Sequence, residues 1–311
     1  MGPDSVTYVE LPIMALTKKR HESIIAYTFL APNLIGFIAF FLFPLGFSFV
    51  LAFTEWNFLS GLRGIRFIGL ENFLEMPGDR WFVDSFWNTI RFSLFTVPTS
   101  LVLGLLAAVA VNEGGTYGPK VIRTMIYMPQ MTSLVAVATV WLALFHPSRG
   151  PVNNILRAVG IENPPMWIAS SDWSLISIVI ASVWAAVGYQ MLIFLAGLQG
   201  ISHDLYESAH IDGANAIQKF FGITIPLLTP TTVFLFMTSM IGSFQVFAQV
   251  NLMTQGGPGT SSSVIVFYVW RAAFQFYRMG YASAMAWTLF ALIFSVTYLN
   301  WQMRKKLLKI F

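Results

Sequence analysis

Hydrophobic residues in this chain fall into long runs that are separated by short polar connections. A helix needs about 20 predominantly apolar residues to cross the hydrocarbon core of a bilayer. The segments that reach this length are roughly Ile24–Phe53, Ile90–Val111, Met125–Phe145, Trp173–Leu198, Ile223–Phe247 and Tyr281–Met303. The pattern therefore predicts an all-α, polytopic bundle of six transmembrane helices.

A seventh apolar run, Val264–Phe274, contains Arg271 and is too short to span. It is predicted to form an interfacial or loop helix on the outer side. Neighbouring helices can re-satisfy the backbone that proline disturbs, so prolines inside the longer runs are compatible with membrane helices. These prolines are Pro32, Pro44, Pro98, Pro129, Pro226 and Pro230.

The composition supports a membrane protein. Of 311 residues, 56% are hydrophobic and 10% are charged, whereas a soluble domain is usually about a quarter charged. The absence of Cys excludes disulfides and thiolate sites, and the net charge of +4 lacks a long basic run that would favour nucleic acid. No loop is long enough for a soluble domain, so 1–311 is predicted to be one transmembrane domain.

Basic residues predict the orientation, because they concentrate in cytoplasmic loops. With six spans, segments 1–23, 112–124, 199–222 and 304–311 share one side and contain every Lys of the chain. Both termini and the 199–222 loop are therefore predicted to be cytoplasmic, and the 248–280 loop external. The first run is about twice as long as a cleavable signal segment and lacks a cleavage site, so it is interpreted as an uncleaved span.

The cytoplasmic loop contains YESAHIDGAN, residues 206–215. Asp204 is predicted to cap a helix whose first turn holds Glu207, near the positive end of the helix dipole. Gly213 permits a sharp bend, and a second short helix is predicted for Ala214–Phe221. Small residues in this element would let a partner surface come close. The alternative is an ordinary connector that stabilises its own bundle.

The pattern Glu207-x-Ala209-x3-Gly213, followed by Ile225-Pro226, resembles the EAA motif of bacterial ABC-importer permeases, with Ser208 where that family more often has Ala. The segment NLMTQGGPGTSS, residues 251–262, resembles an external loop of sugar permeases. Residues 29–56 and 69–73 also resemble the carbohydrate-uptake branch, whose best-known members are the maltose permeases. The resemblance covers nearly the whole chain.

This resemblance implies a type I ABC-importer permease in the cytoplasmic membrane of a bacterium or archaeon. The implied partners are a second permease subunit, giving a heterodimer, two ATPase subunits, an external solute-binding protein and a sugar. The loop would be the coupling helix, which moves when the ATPase closes and switches the spans between two states. The implied coupling residues, with Glu207 as the ion-pair partner of the ATPase, are Asp204, Glu207, Ser208, Ala209, Asp212 and Gly213.

The chain is not expected to be an enzyme. It has no G-x-x-x-x-G-K-[ST] phosphate loop, so ATP and Mg are expected in the partner ATPases, with no cofactor in this chain. Its 4 His residues are scattered along the chain and lack the spacing of a metal site.

Polar groups at membrane depth are costly in lipid, so they are expected to face a substrate path. The candidates in the fourth and fifth runs are Tyr189, Gln190, Ser239, Ser243, Phe244, Gln245 and Phe247. Aromatic faces beside amides and hydroxyls suit sugars. By the resemblance, Tyr189, Ser239, Ser243 and Val246 match sugar-contact positions, although the Val246 side chain cannot form hydrogen bonds. The alternative is helix–helix packing.

The sequence thus favours the permease of an importer for an oligosaccharide or simple sugar. A glycerol 3-phosphate importer of the same family is the near alternative, with Arg91 available to a phosphate. An ion-coupled secondary transporter is disfavoured because the spans contain no Asp, Glu or Lys as a relay. A membrane-embedded enzyme or assembly factor would need a catalytic polar cluster, which the sequence does not contain.

Overall fold

A computed structural model describes residues 12–113 and 118–307, which are almost entirely helical. The first residues of the predicted N-terminal segment and the last residues of the C-terminal one lie outside this part. The chain divides into two compact units between Leu51 and Ala52.

The N-terminal unit contains α1 (Pro12–Phe37) and α2 (Phe43–Leu51), joined by a π-helical segment, Ile38–Leu42. The N–H of Phe43 bonds to the carbonyl of Ile38, five residues earlier. Pro44 has no N–H and its ring clashes with the carbonyl four residues before it, which explains the widened turn at this point. Residues Ser23–Leu51 are long and apolar enough to span a membrane.

The second unit begins with a small polar substructure. Strand β1 (Thr54–Glu55) pairs antiparallel with β2 (Arg66–Phe67), and α3 (Glu71–Glu75) follows. The buried amide of Asn72 donates to the carbonyls of Ala52, at 2.9 Å, and Thr54, at 3.0 Å. Asn72 thereby fixes α3 against the hairpin.

The remaining helices of the second unit form the bundle and its connections. They are α4 (Arg80–Glu113), α5 (Gly118–Met131), α6 (Leu134–Leu144), α7 (Pro151–Ala158), α8 (Ser174–Gln199), α9 (His203–Ile211), α10 (Ala216–Lys219), α11 (Ile225–Leu227), α12 (Thr229–Phe244), α13 (Ala248–Met253), α14 (Ile265–Phe274) and α15 (Met279–Leu307).

Membrane-spanning length is reached by four helices in the described residues, or by up to six spans if each bent pair counts as one. The single helices match the first, second, fourth and sixth predicted runs. The third run is bent by 100° between α5 and α6, and the fifth by 63° between α11 and α12. Pro129 precedes the first bend and Pro230 follows the second. Each lacks an N–H and disturbs the preceding turn.

Helices α4 and α8 form the centre of the second unit. At Gly104, an added Cβ would lie 2.6 Å from Cβ of Gln190, so α4 can approach α8 closely only without a side chain there. At Gly188, an added Cβ would lie 2.4 Å from the carbonyl oxygen of Ile126, on α5. Small residues let membrane helices approach in this way.

Candidate functional site

Helix α9 is a nine-residue helix between α8 and α12 that buries none of its residues. Its N-cap residue is Ser202, whose side chain makes no capping bond. The prediction that Asp204 caps this helix is therefore wrong. Asp204 lies in the first turn, where its charge still favours the positive end of the dipole.

Gly213 ends the first helix of this loop, as its left-handed backbone shows (φ +79°). The N–H of Gly213 donates to the carbonyl of His210 at 3.0 Å, and that of Ala214 to Ala209 at 2.9 Å. This pair of bonds closes a helix C-terminus and favours glycine at the turning position. The predicted bend is therefore present, and α10 begins immediately beyond it.

Helix α10 is capped at its start and leads into the bundle through further helical turns. Asn215 and Gln218 cap each other's backbone N–H groups at 2.9 and 2.8 Å. A π-helical segment, Phe220–Thr224, then leads into α11 and α12. The Tyr206 hydroxyl bonds to the Thr224 hydroxyl at 2.9 Å. We call residues 203–224 the α9–α10 element; these bonds join its parts to one another.

The surface of the α9–α10 element combines apolar and acidic groups. Its large exposed apolar residues are Leu205, Ile211, Ile217 and Phe221, of which Ile211 is 80% exposed. Of the predicted coupling residues, Ala209 is half-buried and Asp204, Glu207, Ser208, Asp212 and Gly213 are exposed. The three acids form no ion pair within the part of the chain that the structure describes. Such a surface suits a partner with apolar and basic groups.

A cavity of about 440 Å³ opens within the bundle. Its lining comes mainly from α4, α8, α12 and the segment leading into α13, and none of the described lining residues is charged. The lining residues are Phe92, Thr96, Val97, Ser100, Leu134, Ser182, Ala186, Gln190, Ser239, Gly242, Ser243, Gln245, Val246, Phe247, Ala248 and Gln249.

Gln190 is the centre of a group of hydrogen-bonded polar side chains beside this cavity. Its amide nitrogen donates to the hydroxyls of Ser100, at 3.0 Å, and Ser239, at 3.1 Å. Ser243 reaches the hydroxyl of Ser93 at 2.8 Å. These bonds connect α4, α8 and α12, and they orient polar atoms at the cavity wall.

The structure brings together most of the predicted substrate-path residues. Gln190, Ser239, Ser243, Gln245 and Phe247 all line the cavity.

Two of the predicted path residues lie elsewhere. Tyr189 is 37% exposed and is absent from the described cavity lining, while Phe244 is 3% exposed and packs with Ile265 and Leu289. Adjacent residues of a helix point about 100° apart, so neighbours in sequence face different surroundings.

The sequence interpretation missed the polar residues that α4 and the first half of α8 contribute. Thr96, Ser100 and Ser182 all line the cavity. Ser93, Thr96 and Ser100 follow one another at intervals of three and four residues, which places them on one face of a helix. That periodic polar face inside an apolar run is a usable signal for α4. Ser182, an isolated small polar residue in the fourth run, carries no comparable signal.

The GGPGTSS segment lies against α4 and the start of α8. Asn88 donates to the carbonyls of Thr260, at 2.8 Å, and Ser263, at 3.1 Å. Ser261 bonds to Ser174 at 2.8 Å. Gly256 has φ +80°, and a Cβ there would lie 2.6 Å from the Phe267 ring. The glycine is therefore required by both backbone conformation and space.

Near the start of α4, charged and phenolic groups connect three segments. Asp79 accepts hydrogen bonds from Tyr268 at 2.6 Å and from Tyr281 at 2.8 Å. Burial, and then the hydrogen bond to Asp79, raise the pKa of Tyr268 above its usual value. Arg278 pairs with Glu75 at 2.5 Å, and this hydrogen bond raises the pKa of Arg278.

Comparison with known proteins identifies the class. Residues 100–306 match the family described as binding-protein-dependent transport system inner membrane component. The chain belongs to this family and is a multi-pass permease subunit of an ABC importer.

Two curated relatives extend the similarity beyond that region. The chain is 36% identical over 282 residues to the probable ABC transporter permease protein YesP of Bacillus subtilis, covering 89% of each chain. It is 34% identical over 277 residues to the sulfoquinovosyl glycerol transport system permease protein SmoG of Agrobacterium fabrum, again covering 89% of each.

A solved structure shares the fold. A chain of a bacterial ABC transporter involved in the import of the acidic polysaccharide alginate superposes with a TM-score of 0.80 at 26% identity. The match covers 94% of this chain and 99% of that one. The predicted all-α membrane fold of an ABC-importer permease is thereby confirmed.

Proposed function

We propose that this permease carries a sugar through the α4–α8–α12 cavity and that the α9–α10 element receives the movement of a partner ATPase. Relatives named for sulfoquinovosyl glycerol and alginate transport support a saccharide cargo. The cavity supports it independently, because it places Phe92 and Phe247 beside hydroxyl and amide groups.

The observation that carries the coupling role is the connection between the exposed element and the cavity. The α9–α10 element is exposed. The Tyr206–Thr224 bond ties its first helix to its last residue, and the chain continues from there through α11 into α12. Helix α12 supplies Ser239 and Ser243 to the cavity. A displacement of the element would therefore move one cavity wall.

The complete importer would contain further chains. We propose a second permease subunit, two ATPase subunits that bind ATP and Mg, and an external binding protein, in a bacterial cytoplasmic membrane. Glu207 would pair with a basic ATPase residue, next to the apolar contacts of Leu205 and Ile211. ATPase closure would then drive rigid-body switching between inward- and outward-facing states.

Glu207→Lys and Gly213→Val test this role. The first reverses the charge at the docking surface. The second forces a side chain into a left-handed conformation, at a cost of roughly 1–2 kcal/mol, although no atom lies within 4 Å of the added Cβ. We expect at least about a tenfold loss of ATP-dependent uptake in proteoliposomes, measured with a panel of radiolabelled sugars, which corresponds to about 1.4 kcal/mol of coupling.

Glu162→Lys is the matched control, because Glu162 is also exposed but precedes α8 instead of following it. It should leave uptake and ATPase co-purification unchanged. Normal uptake together with normal ATPase co-purification in both element variants would contradict the coupling role.

A further inference from the structure

Three buried polar atoms that lack a hydrogen-bond partner belong to residues that line the cavity. Within the described residues, few buried side-chain nitrogen or oxygen atoms are unpartnered, and Thr96 Oγ1, Ser182 Oγ and Gln190 Oε1 are among them. Their residues are 7%, 8% and 2% exposed, and all three line the same cavity. Buried polar atoms normally have partners, so three unpartnered atoms on residues of one cavity wall point to a ligand.

The hydroxyls of Thr96 and Ser182 differ from other hydroxyls on α4 and α8, because they do not bond to a carbonyl of their own helix. On α4, Thr89 donates to the carbonyl of Ser85 at 2.7 Å, and on α8, Ser177 donates to that of Trp173 at 2.8 Å. Hydroxyls in helices commonly satisfy themselves in this way, four residues back. Thr96 and Ser182 make no such bond, so each keeps one donor and its acceptor capacity.

The amide of Gln190 has a defined direction. The hydroxyl of Ser100 donates its one hydrogen to the carbonyl of Val97 at 3.0 Å, so it can only accept from Gln190. The amide nitrogen must therefore face Ser100, and its second N–H goes to Ser239. Oε1 is left as a pure acceptor, which needs an O–H or N–H donor.

We propose that Thr96, Ser182 and Gln190 Oε1 form a hydroxyl-binding site in this chain's wall of the cavity. It binds an uncharged, polyhydroxylated portion of the cargo. A hydroxyl group can donate to Oε1, and neighbouring hydroxyls can pair with Thr96 and Ser182. This inference rests on the proposed function and specifies which part of a sugar this chain contacts.

Anionic groups do not fit this wall. A deprotonated carboxylate, phosphate or sulfonate has no hydrogen to donate to Oε1, and the described lining contains no cation to balance its charge.

Ligand binding to the assembled importer in lipid nanodiscs tests the site. The probes are methyl α-D-glucopyranoside, D-glucuronate and D-glucose 6-phosphate, measured by saturation-transfer NMR. We expect the neutral probe to bind, with the two anions about tenfold weaker or more. Thr96→Val and Ser182→Ala should each weaken the neutral probe about 2- to 10-fold, the range of one net hydrogen bond.

Two further variants separate a ligand role from a structural one. Thr96→Ser keeps the hydroxyl and should retain binding that Thr96→Val loses. Ser177→Ala removes a buried hydroxyl that bonds to its own helix and does not line the cavity, so it should leave probe binding unchanged.

Equal or tighter binding of either anion would overturn the proposal. So would the absence of neutral-probe binding, or equal binding by Thr96→Val and Thr96→Ser. Failure of the proposed function is distinguishable, because it would show as intact probe binding without ATP-dependent sugar uptake. Sugar uptake that proceeds while these binding tests fail would instead remove the hydroxyl-binding site alone.

Discussion

The carboxylate of Asp79 holds three segments together at one end of the bundle. It caps α4 through the backbone N–H groups of Trp81, at 2.9 Å, and Phe82, at 3.4 Å. It also accepts hydrogen bonds from Tyr268 on α14 and Tyr281 on α15. Burial and this contact raise the pKa of Tyr268 further above neutrality.

Asp79→Ala is expected to lower the free energy of unfolding by about 2–4 kcal/mol, since it removes a helix cap and leaves two phenols without an acceptor. Thermal unfolding in detergent, followed by circular dichroism, measures this loss. Glu55→Ala is the control, because the Glu55–Arg66 pair is 3.8 Å long and largely exposed. Its expected cost is about 1 kcal/mol or less, and an equal loss in both variants would contradict the prediction.

At the scale of elements, prolines explain where the helices depart from regular geometry. The two π-helical segments in the described residues, Ile38–Leu42 and Phe220–Thr224, each end two residues before a proline, Pro44 or Pro226. The run lengths predicted the spans, but they did not predict that the third and fifth are bent. A bend angle depends on how neighbouring helices re-satisfy the freed backbone, which a linear pattern does not contain.

Gly188→Ala is expected to separate α8 from α5, because the added Cβ would lie 2.4 Å from the Ile126 carbonyl oxygen. Overpacking of this kind costs about 1–3 kcal/mol, and scanning fluorimetry of the purified protein should show a lower Tm. Gly200→Ala is the control on the same stretch of chain, since its nearest contact would be an ordinary 3.4 Å. A Tm decrease of similar size in both variants would contradict close packing at Gly188.

At the scale of the whole molecule, the cavity depends on residues that are distant in the chain. The hydrogen bonds that organise it join residues separated by 90, 49 and 150 positions. Sequence reasoning found Gln190 and Ser239 because polar groups stand out within apolar runs. It also included Tyr189 and Phe244, which lie outside the described lining, because composition does not show which face of each helix turns inward.

Six spans with a cytoplasmic N-terminus predict where reporters become accessible. A reporter fused after Phe311, which lies outside the described residues, should report the cytoplasm. A truncated fusion after Gly160, between the third and fourth spans, should report the exterior. Paired alkaline phosphatase and fluorescent-protein fusions measure this, and an external signal after Phe311 would contradict the six-span topology.

The sequence by itself determined the membrane class, the runs that span, and the short helix–glycine–helix element between two of them. These features are local, because hydropathy, run length and the conformational freedom of Gly213 act within a few turns of chain. Only the tertiary structure decided which polar side chains share the cavity, which atoms remain unpartnered and where the spans bend. Those properties depend on the rotation of each packed helix and on contacts between residues that the chain keeps far apart.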